Sequence, residues 1–280
     1  MRSARRVRLS APVALAGEMT DEIRAVLRAE ARVRGDGVET ILWVRRDGRG
    51  DQPAECARAV FTGPGEPTGA AAHAAANGSG MVRGDGAEIV DGTDLYGPVC
   101  FQAGRFRRVA LVSGKRPRSC RAIVRGRDEE PWFGDLPEPA GQLVLGSPGL
   151  NDAALQVAQA FVPGRRLLPG GCDSLTVTGA EVPGAVELRA YLISAPAGGA
   201  GADGDGDYVW DIHGYDLRGH LVIAWIGLRM RAAALRPGSG PADVHVLTPE
   251  AESTGIPAHL HAAGPAPVPQ HQVESLSRAR

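Results

Sequence analysis

Long apolar runs, an excess of one charge and paired cysteines are what this sequence lacks, and lysine is nearly absent. No stretch approaches the ~20 apolar residues of a membrane-spanning helix. The arginine-rich start, Met1 to Arg8, is not followed by the continuous apolar core of a signal peptide, so the expected location is the cytoplasm. A formal net charge of -1 removes the simplest electrostatic ground for a nucleic-acid or anionic-membrane partner. Cys56, Cys100, Cys120 and Cys172 stand far apart, with neither a C-x-x-C pair nor the density of a disulfide scaffold, and read as small, reduced apolar residues. Lys115 is the only lysine, and the arginines sit among abundant Ala, Gly and Pro, a pattern of GC-rich codon bias rather than of phosphate recognition.

What is present suffices for one large domain or two small fused ones, since 280 residues bury a sizeable core. From Glu22 to Val33 apolar residues alternate with charged ones, which fits a half-buried strand, although Ile23, Val26 and Leu27 would also share a helical face. The neighbours favour strand: a Gly35-Asp36-Gly37 turn, the β-branched run Val38 to Arg45, a second turn at Asp47-Gly48, and the run Glu55 to Phe61. The chain thus opens as an antiparallel meander. Residues 62–93 read as a long surface insertion, and the stretches Asp94 to Val112 and Cys120 to Arg125 are expected to complete the meander's sheet.

The second lobe is better defined. Asn151 to Val162 places Ala154, Leu155, Ala158, Phe161 and Val162 on one helical face, and four strand-like runs follow: Leu175 to Thr178, Val186 to Ser194, Tyr208 to Tyr215 and Leu221 to Met230. Wrapping such a sheet around the one helix is the hotdog arrangement. The expected class is α+β, a double hotdog with its first member incomplete: an N-terminal lobe over 1–135, a C-terminal hotdog over 136–235 and a disordered tail over 236–280. His259, His261 and His271 in that tail are spaced unlike a metal site, and no metal is expected.

This helix carries one carboxylate, Asp152, in its first turn, and Gln156 and Gln159 follow on its stripe. Two roles are open. Asp152 is either a helix cap or first-turn dipole partner, with Gln156 satisfying a backbone group, or a desolvated carboxyl kept protonated as a general acid. Eliminating water from a β-hydroxyacyl thioester needs a base for the α proton and an acid for the departing hydroxyl, and Asp152 suits the second task, with Gln156 orienting it.

Three segments resemble a known family. Tyr96-Gly97-Pro98, Asp152-Ala153-Ala154-Leu155-Gln156 and Leu168-Pro169 are similar, in the same order, to the Tyr-Gly-Pro, Asp-x-x-x-Gln and Leu-Pro motifs of polyketide synthase dehydratase domains, which are double hotdogs. Gln102 to Arg108, Trp132-Phe133-Gly134 and Trp225 to Arg231 are similar to the iterative enediyne-type synthases in particular. The resemblance implies a dehydratase acting on a β-hydroxyacyl group carried by the phosphopantetheine arm of an acyl carrier protein, with no further cofactor. Asp152 would be the acid and Gln156 its helper, while Tyr96, Gly97, Pro98, Phe101, Leu168 and Pro169 would line the acyl and phosphopantetheine tunnel. Carrier protein, sibling synthase domains and a second copy are the implied partners, and Arg105, Arg107, Arg108, Arg116 and Arg118 are candidates for docking an acidic carrier.

The departures concern the base and the lining. Cys100 stands where the family usually has an aromatic, and Cys172 where a Trp is often found. The family's base lies in a His-x-x-x-Gly segment before the first hotdog's helix, and none of the seven histidines here is followed by a glycine four places on. His73 falls in the insertion, after the meander rather than before it; His213 and His220 fall at strand ends of the second lobe. An acyl-binding or scaffolding module without turnover, and a hotdog thioesterase, are therefore the rival functions.

Overall fold

The computed structural model of the chain describes residues 2–10, 25–46, 52–63, 89–116, 118–126, 132, 143–162, 165–178, 184–196 and 207–235. Eleven segments form strands of a single sheet in which every pair of neighbours is antiparallel. They are β1 (Arg2–Leu9), β2 (Ala25–Arg34), β3 (Gly37–Arg46), β4 (Ala54–Thr62), β5 (Ile89–Asp91), β6 (Val109–Arg116), β7 (Ser119–Arg125), β8 (Arg165–Val177), β9 (Ala185–Ser194), β10 (Asp207–Asp216) and β11 (Leu221–Leu235). The order across the sheet is β2-β3-β4-β1-β8-β11-β10-β9-β7-β6-β5.

Two helices matter for the site: the single turn α1 (Gly92–Leu95) and the long α2 (Pro148–Phe161). Ser147 caps α2, its hydroxyl accepting from the Leu150 N–H at 3.2 Å, and Pro148 begins the helix where a missing N–H costs nothing. The helix packs on β6, β7, β8 and β9 and is buried on most sides, with Ala153, Ala154, Val157 and Ala158 fully covered. Small residues there let sheet and helix approach closely. Phe161 meets the edge of the fully buried Trp210 with ring centroids 5.0 Å apart. Beyond Pro148 at its start, only Asn151, Asp152 and Leu155 of this helix are half-buried, and they form one stripe.

Two expectations change. β6 and β7 do not complete the opening meander: β7 pairs with β9, so both extend the second lobe's sheet. The link to the meander is instead β1, which the sequence showed only as an arginine-rich start and which pairs with β4 on one side and β8 on the other. Its arginines hide the alternation, and Arg6, at φ 52°, lies within an irregularity that breaks the register with β4.

In the first lobe, register puts Leu27, Ala29 and Val33 of β2 on one face with Val38, Leu42, Ala57 and Phe61. That face continues through Ala4 to Leu175 in the second lobe's core. No helix covers it among the described residues, and Leu27 and Val33 are 60 % and 83 % exposed. The opposite face is charged, with Arg58 bridging Glu39 at 3.0 Å and Glu55 at 2.6 Å. No helix among the described residues is long and apolar enough to cross a membrane. The metal question at His259, His261 and His271 lies outside the described residues, as does His73.

Candidate active site

Asp152 sits in the second turn of α2, not the first, and Ser147 already fills the capping role. The dipole-partner role is therefore not what holds it there. Its carboxyl is held by amides. Gln156 Nε2 donates to Asp152 Oδ2 at 2.7 Å, and Gln102 donates a second side-chain hydrogen bond. Burial nevertheless dominates: loss of hydration raises the Asp152 pKa above the ordinary carboxylate value, against the lowering by Gln156 and then Gln102.

Gln156 is almost fully buried and every polar atom of its amide is used. Nε2 also donates to the Phe106 carbonyl at 2.7 Å, and Oε1 accepts from the Tyr96 hydroxyl at 2.8 Å. Tyr96 Oη in turn accepts from the Val109 N–H at 2.8 Å. The chain of bonds has one direction, because a backbone N–H only donates and a backbone carbonyl only accepts. The amide orientation is thereby fixed, and so is the N–H aimed at Asp152. Burial pushes the Tyr96 phenol up to about 12, so it stays a neutral donor. Gln156 thus satisfies a backbone group and orients the carboxyl at once.

The Tyr96 ring is placed by a tight reversal. Asp91 caps α1 by accepting from the Thr93 N–H at 2.8 Å, and after Tyr96 the chain turns so that the Val99 and Cys100 N–H groups both donate to the Leu95 carbonyl. Gly97 has φ +98°, a conformation that a side chain rarely adopts, and no heavy atom lies within 4 Å of where its Cβ would stand. Backbone conformation thus accounts for this glycine.

The family model for the polyketide synthase dehydratase N-terminal domain matches residues 75–238, more than half of the chain. The chain belongs to the polyketide synthase dehydratase family. A search of curated protein sequences finds no match. Among solved structures, similar folds include the dehydratase domain of the CurJ module of the curacin polyketide synthase (TM-score 0.59, 13 % identity, 83 % of this chain and 75 % of that one). Others are the bifunctional dehydratase-cyclase domain of ambruticin biosynthesis (0.54, 23 %, 83 % and 76 %) and the dehydratase domain of RzxB from Pseudomonas fluorescens (0.53, 16 %, 82 % and 75 %). The continuous antiparallel sheet that wraps α2 is the double hotdog fold of this dehydratase family.

Within that dehydratase fold the three motif segments converge on α2. Tyr96 reaches Gln156 directly, and the Cys100 thiol lies 3.9 Å from the Gln156 carbonyl. One turn further along α2, Gln159 Oε1 accepts from the Leu167 N–H at 2.8 Å, which anchors the strand that carries Leu168 and Pro169. Phe101, 64 % exposed, lies under the Arg166 guanidinium at 5.6 Å, so the end of the Tyr-Gly-Pro segment meets the start of β8. Pro98 is exposed, and Leu168 and Pro169 are half-buried.

Sequence reasoning missed Gln102 as a partner of Asp152 and the Phe106 carbonyl as the anchor of Gln156. Only the likeness of Gln102 to Arg108 hinted at either. Neither described histidine faces Asp152. His213 lies on the sheet face away from α2, between the rings of Tyr191 and Tyr215, and His220 is bonded to Asp216 in an exposed hairpin. Of the docking arginines, Arg108 is a correction: it is 5 % exposed, its Nε donates to the Arg105 carbonyl at 2.6 Å, and it packs against Gly149. Arg118 is tied to the Leu192 and Ile193 carbonyls. Arg105 and Arg107 remain exposed, stacked on Trp132 and Tyr96.

Proposed function

We propose that this chain supplies the acid half of a dehydratase site acting on a β-hydroxyacyl thioester of an acyl carrier protein. The observation that supports it most is the Asp152 carboxyl, raised in pKa by burial while a fully bonded Gln156 holds its Oδ2. In the reaction a base removes the α proton, the electron pair forms the Cα–Cβ double bond, and the β C–O bond breaks. The hydroxyl leaves as water with the proton of Asp152. The Tyr-Gly-Pro turn and the Leu168-Pro169 segment, which meet through Phe101 and Arg166, border the path of the acyl and phosphopantetheine chain. Arg105 and Arg107, next to Tyr96, offer the acidic carrier its docking charges.

No histidine reaches Asp152 among the described residues, and that favours a second reading: a module that binds the acyl carrier without turnover. The full chain, incubated with a β-hydroxyacyl carrier protein and followed by intact-protein mass spectrometry, separates the readings. Loss of water that disappears in Asp152→Asn, with the circular dichroism spectrum retained, supports the dehydratase. Binding without loss of water supports the second reading, and release of free acid points to thioester hydrolysis.

A further inference from the structure

The two amides that hold Asp152 differ in one atom. Gln156 has none to spare: its Nε2 donates to Asp152 and to the Phe106 carbonyl, and its Oε1 accepts from Tyr96. Gln102 also donates to Asp152 from its side chain, yet its Oε1 is buried and has no hydrogen-bond partner among the described residues. A buried carbonyl oxygen without a donor is costly, and one that stands beside an acid group points to a donor that arrives with a ligand.

The chain around Gln102 holds that oxygen in place. The Gln102 backbone carbonyl accepts from Arg107 Nε at 3.2 Å, and further along the same loop the Phe106 carbonyl accepts from Gln156, so the segment 102–106 is tied at both ends. An oxygen of Asp152 that accepts a bond takes the N–H end of the amide, which leaves the Gln102 oxygen for another donor. In a planar amide this oxygen stands next to the N–H group, and hence beside the Asp152 carboxyl.

We propose that Gln102 Oε1 accepts the hydrogen bond of the substrate's β-hydroxyl and so binds the leaving group, an assignment that rests on the reading of Asp152 as the acid. The hydroxyl hydrogen then points to Gln102, and an oxygen lone pair is turned to Asp152. When the β C–O bond breaks, its electron pair stays on the oxygen and the Asp152 proton joins it. The departing water carries one hydrogen from Asp152 and one still bonded to Gln102. Protonation makes that O–H a stronger donor, so the bond to Gln102 tightens as the reaction proceeds. The amide N–H groups of the pantetheine arm lie across the thioester from the β-carbon, whereas the β-hydroxyl is the group that Asp152 itself must touch.

The test reads binding, so it needs no turnover. The full chain is titrated by calorimetry with an acyl carrier protein whose pantetheine bears, through an amide in place of the thioester, a β-hydroxyacyl chain or the saturated chain of the same length. The wild-type chain is expected to bind the hydroxylated carrier about tenfold tighter, the worth of one hydrogen bond to an otherwise unpaired acceptor. Gln102→Met keeps the bulk and removes the acceptor, and is expected to bind both carriers equally. Its affinity for the saturated carrier should match that of the wild type, which shows that the variant is folded. Gln102→Glu retains an acceptor and is expected to keep the preference, which a role limited to the N–H on Asp152 does not predict. A preference that survives Gln102→Met, equal binding of both carriers by the wild type, or a preference lost in Gln102→Glu would overturn the inference while acyl binding stands. A wild-type chain that binds neither carrier would overturn the reading of the site, and the inference with it.

Discussion

At the residue scale the site is a short relay of hydrogen bonds whose worth lies in orientation. The Tyr96 hydroxyl is its keystone, accepting from the Val109 N–H and donating to Gln156 Oε1. In Tyr96→Phe both of those buried groups lose their partner, and an unsatisfied buried polar group costs about 1–3 kcal/mol. Urea denaturation should show a loss of that size. The freed Gln156 amide should also swing, so any water-eliminating activity should fall by more than the change in substrate binding. A variant that lost stability but kept full turnover would show that the Gln156 orientation does not matter. The pairing of Asp152 with Gln156 was legible, because a lone carboxylate at helical spacing from a glutamine is visible in the letters. Its position was not: the helix starts at Pro148, one turn earlier than the apolar pattern suggests, and that shift removes Asp152 from the cap.

At the element scale the relay depends on how closely α1 lies on β6. A Cβ on Gly92 would stand 2.0 Å from the Val109 carbonyl oxygen, which is backbone and cannot swing aside. Gly92→Ala is expected to push Val109 away, to cost about 1–3 kcal/mol or more by overpacking, and to pull the Val109 N–H off Tyr96. Thermal denaturation checks the first effect. The signature of the second is a Tyr96 hydroxyl that exchanges faster with solvent by NMR, and an unchanged Tm would contradict the close approach. Elements of this kind divide sharply in legibility. Helix α2, strands β9 and β10 and the meander β2 to β4 follow from period and turn residues alone. Strand β8 follows only at its end, Leu175 to Val177, because Pro169, Gly170 and Gly171 carry no strand signal, yet the strand runs through them with Gly171 at φ +141°. Strand β1 does not follow, because its alternation is masked by arginine.

At the scale of the whole molecule, neighbours distant in sequence decide what local pattern cannot. That β7 joins β9 rather than the meander, and that β1 bridges the lobes, follows from which apolar faces must share a core. The same assembly sets the chemistry of Asp152. Folding raises its pKa, so the folded chain binds the proton more tightly than the unfolded one. The sign follows: the stability contributed by this group is present below the ordinary aspartate pKa and is lost as pH rises through the folded-state value. Uniformly labelled chain with carbon-13 at the aspartate carboxyls, compared with Asp152→Asn to assign the signal, gives this titration directly by NMR in the native state and in urea. The account predicts a native Asp152 midpoint clearly above the urea value of about 3.9. A midpoint at or below it would mean that the amides outweigh burial, and would leave the dehydratase without its acid.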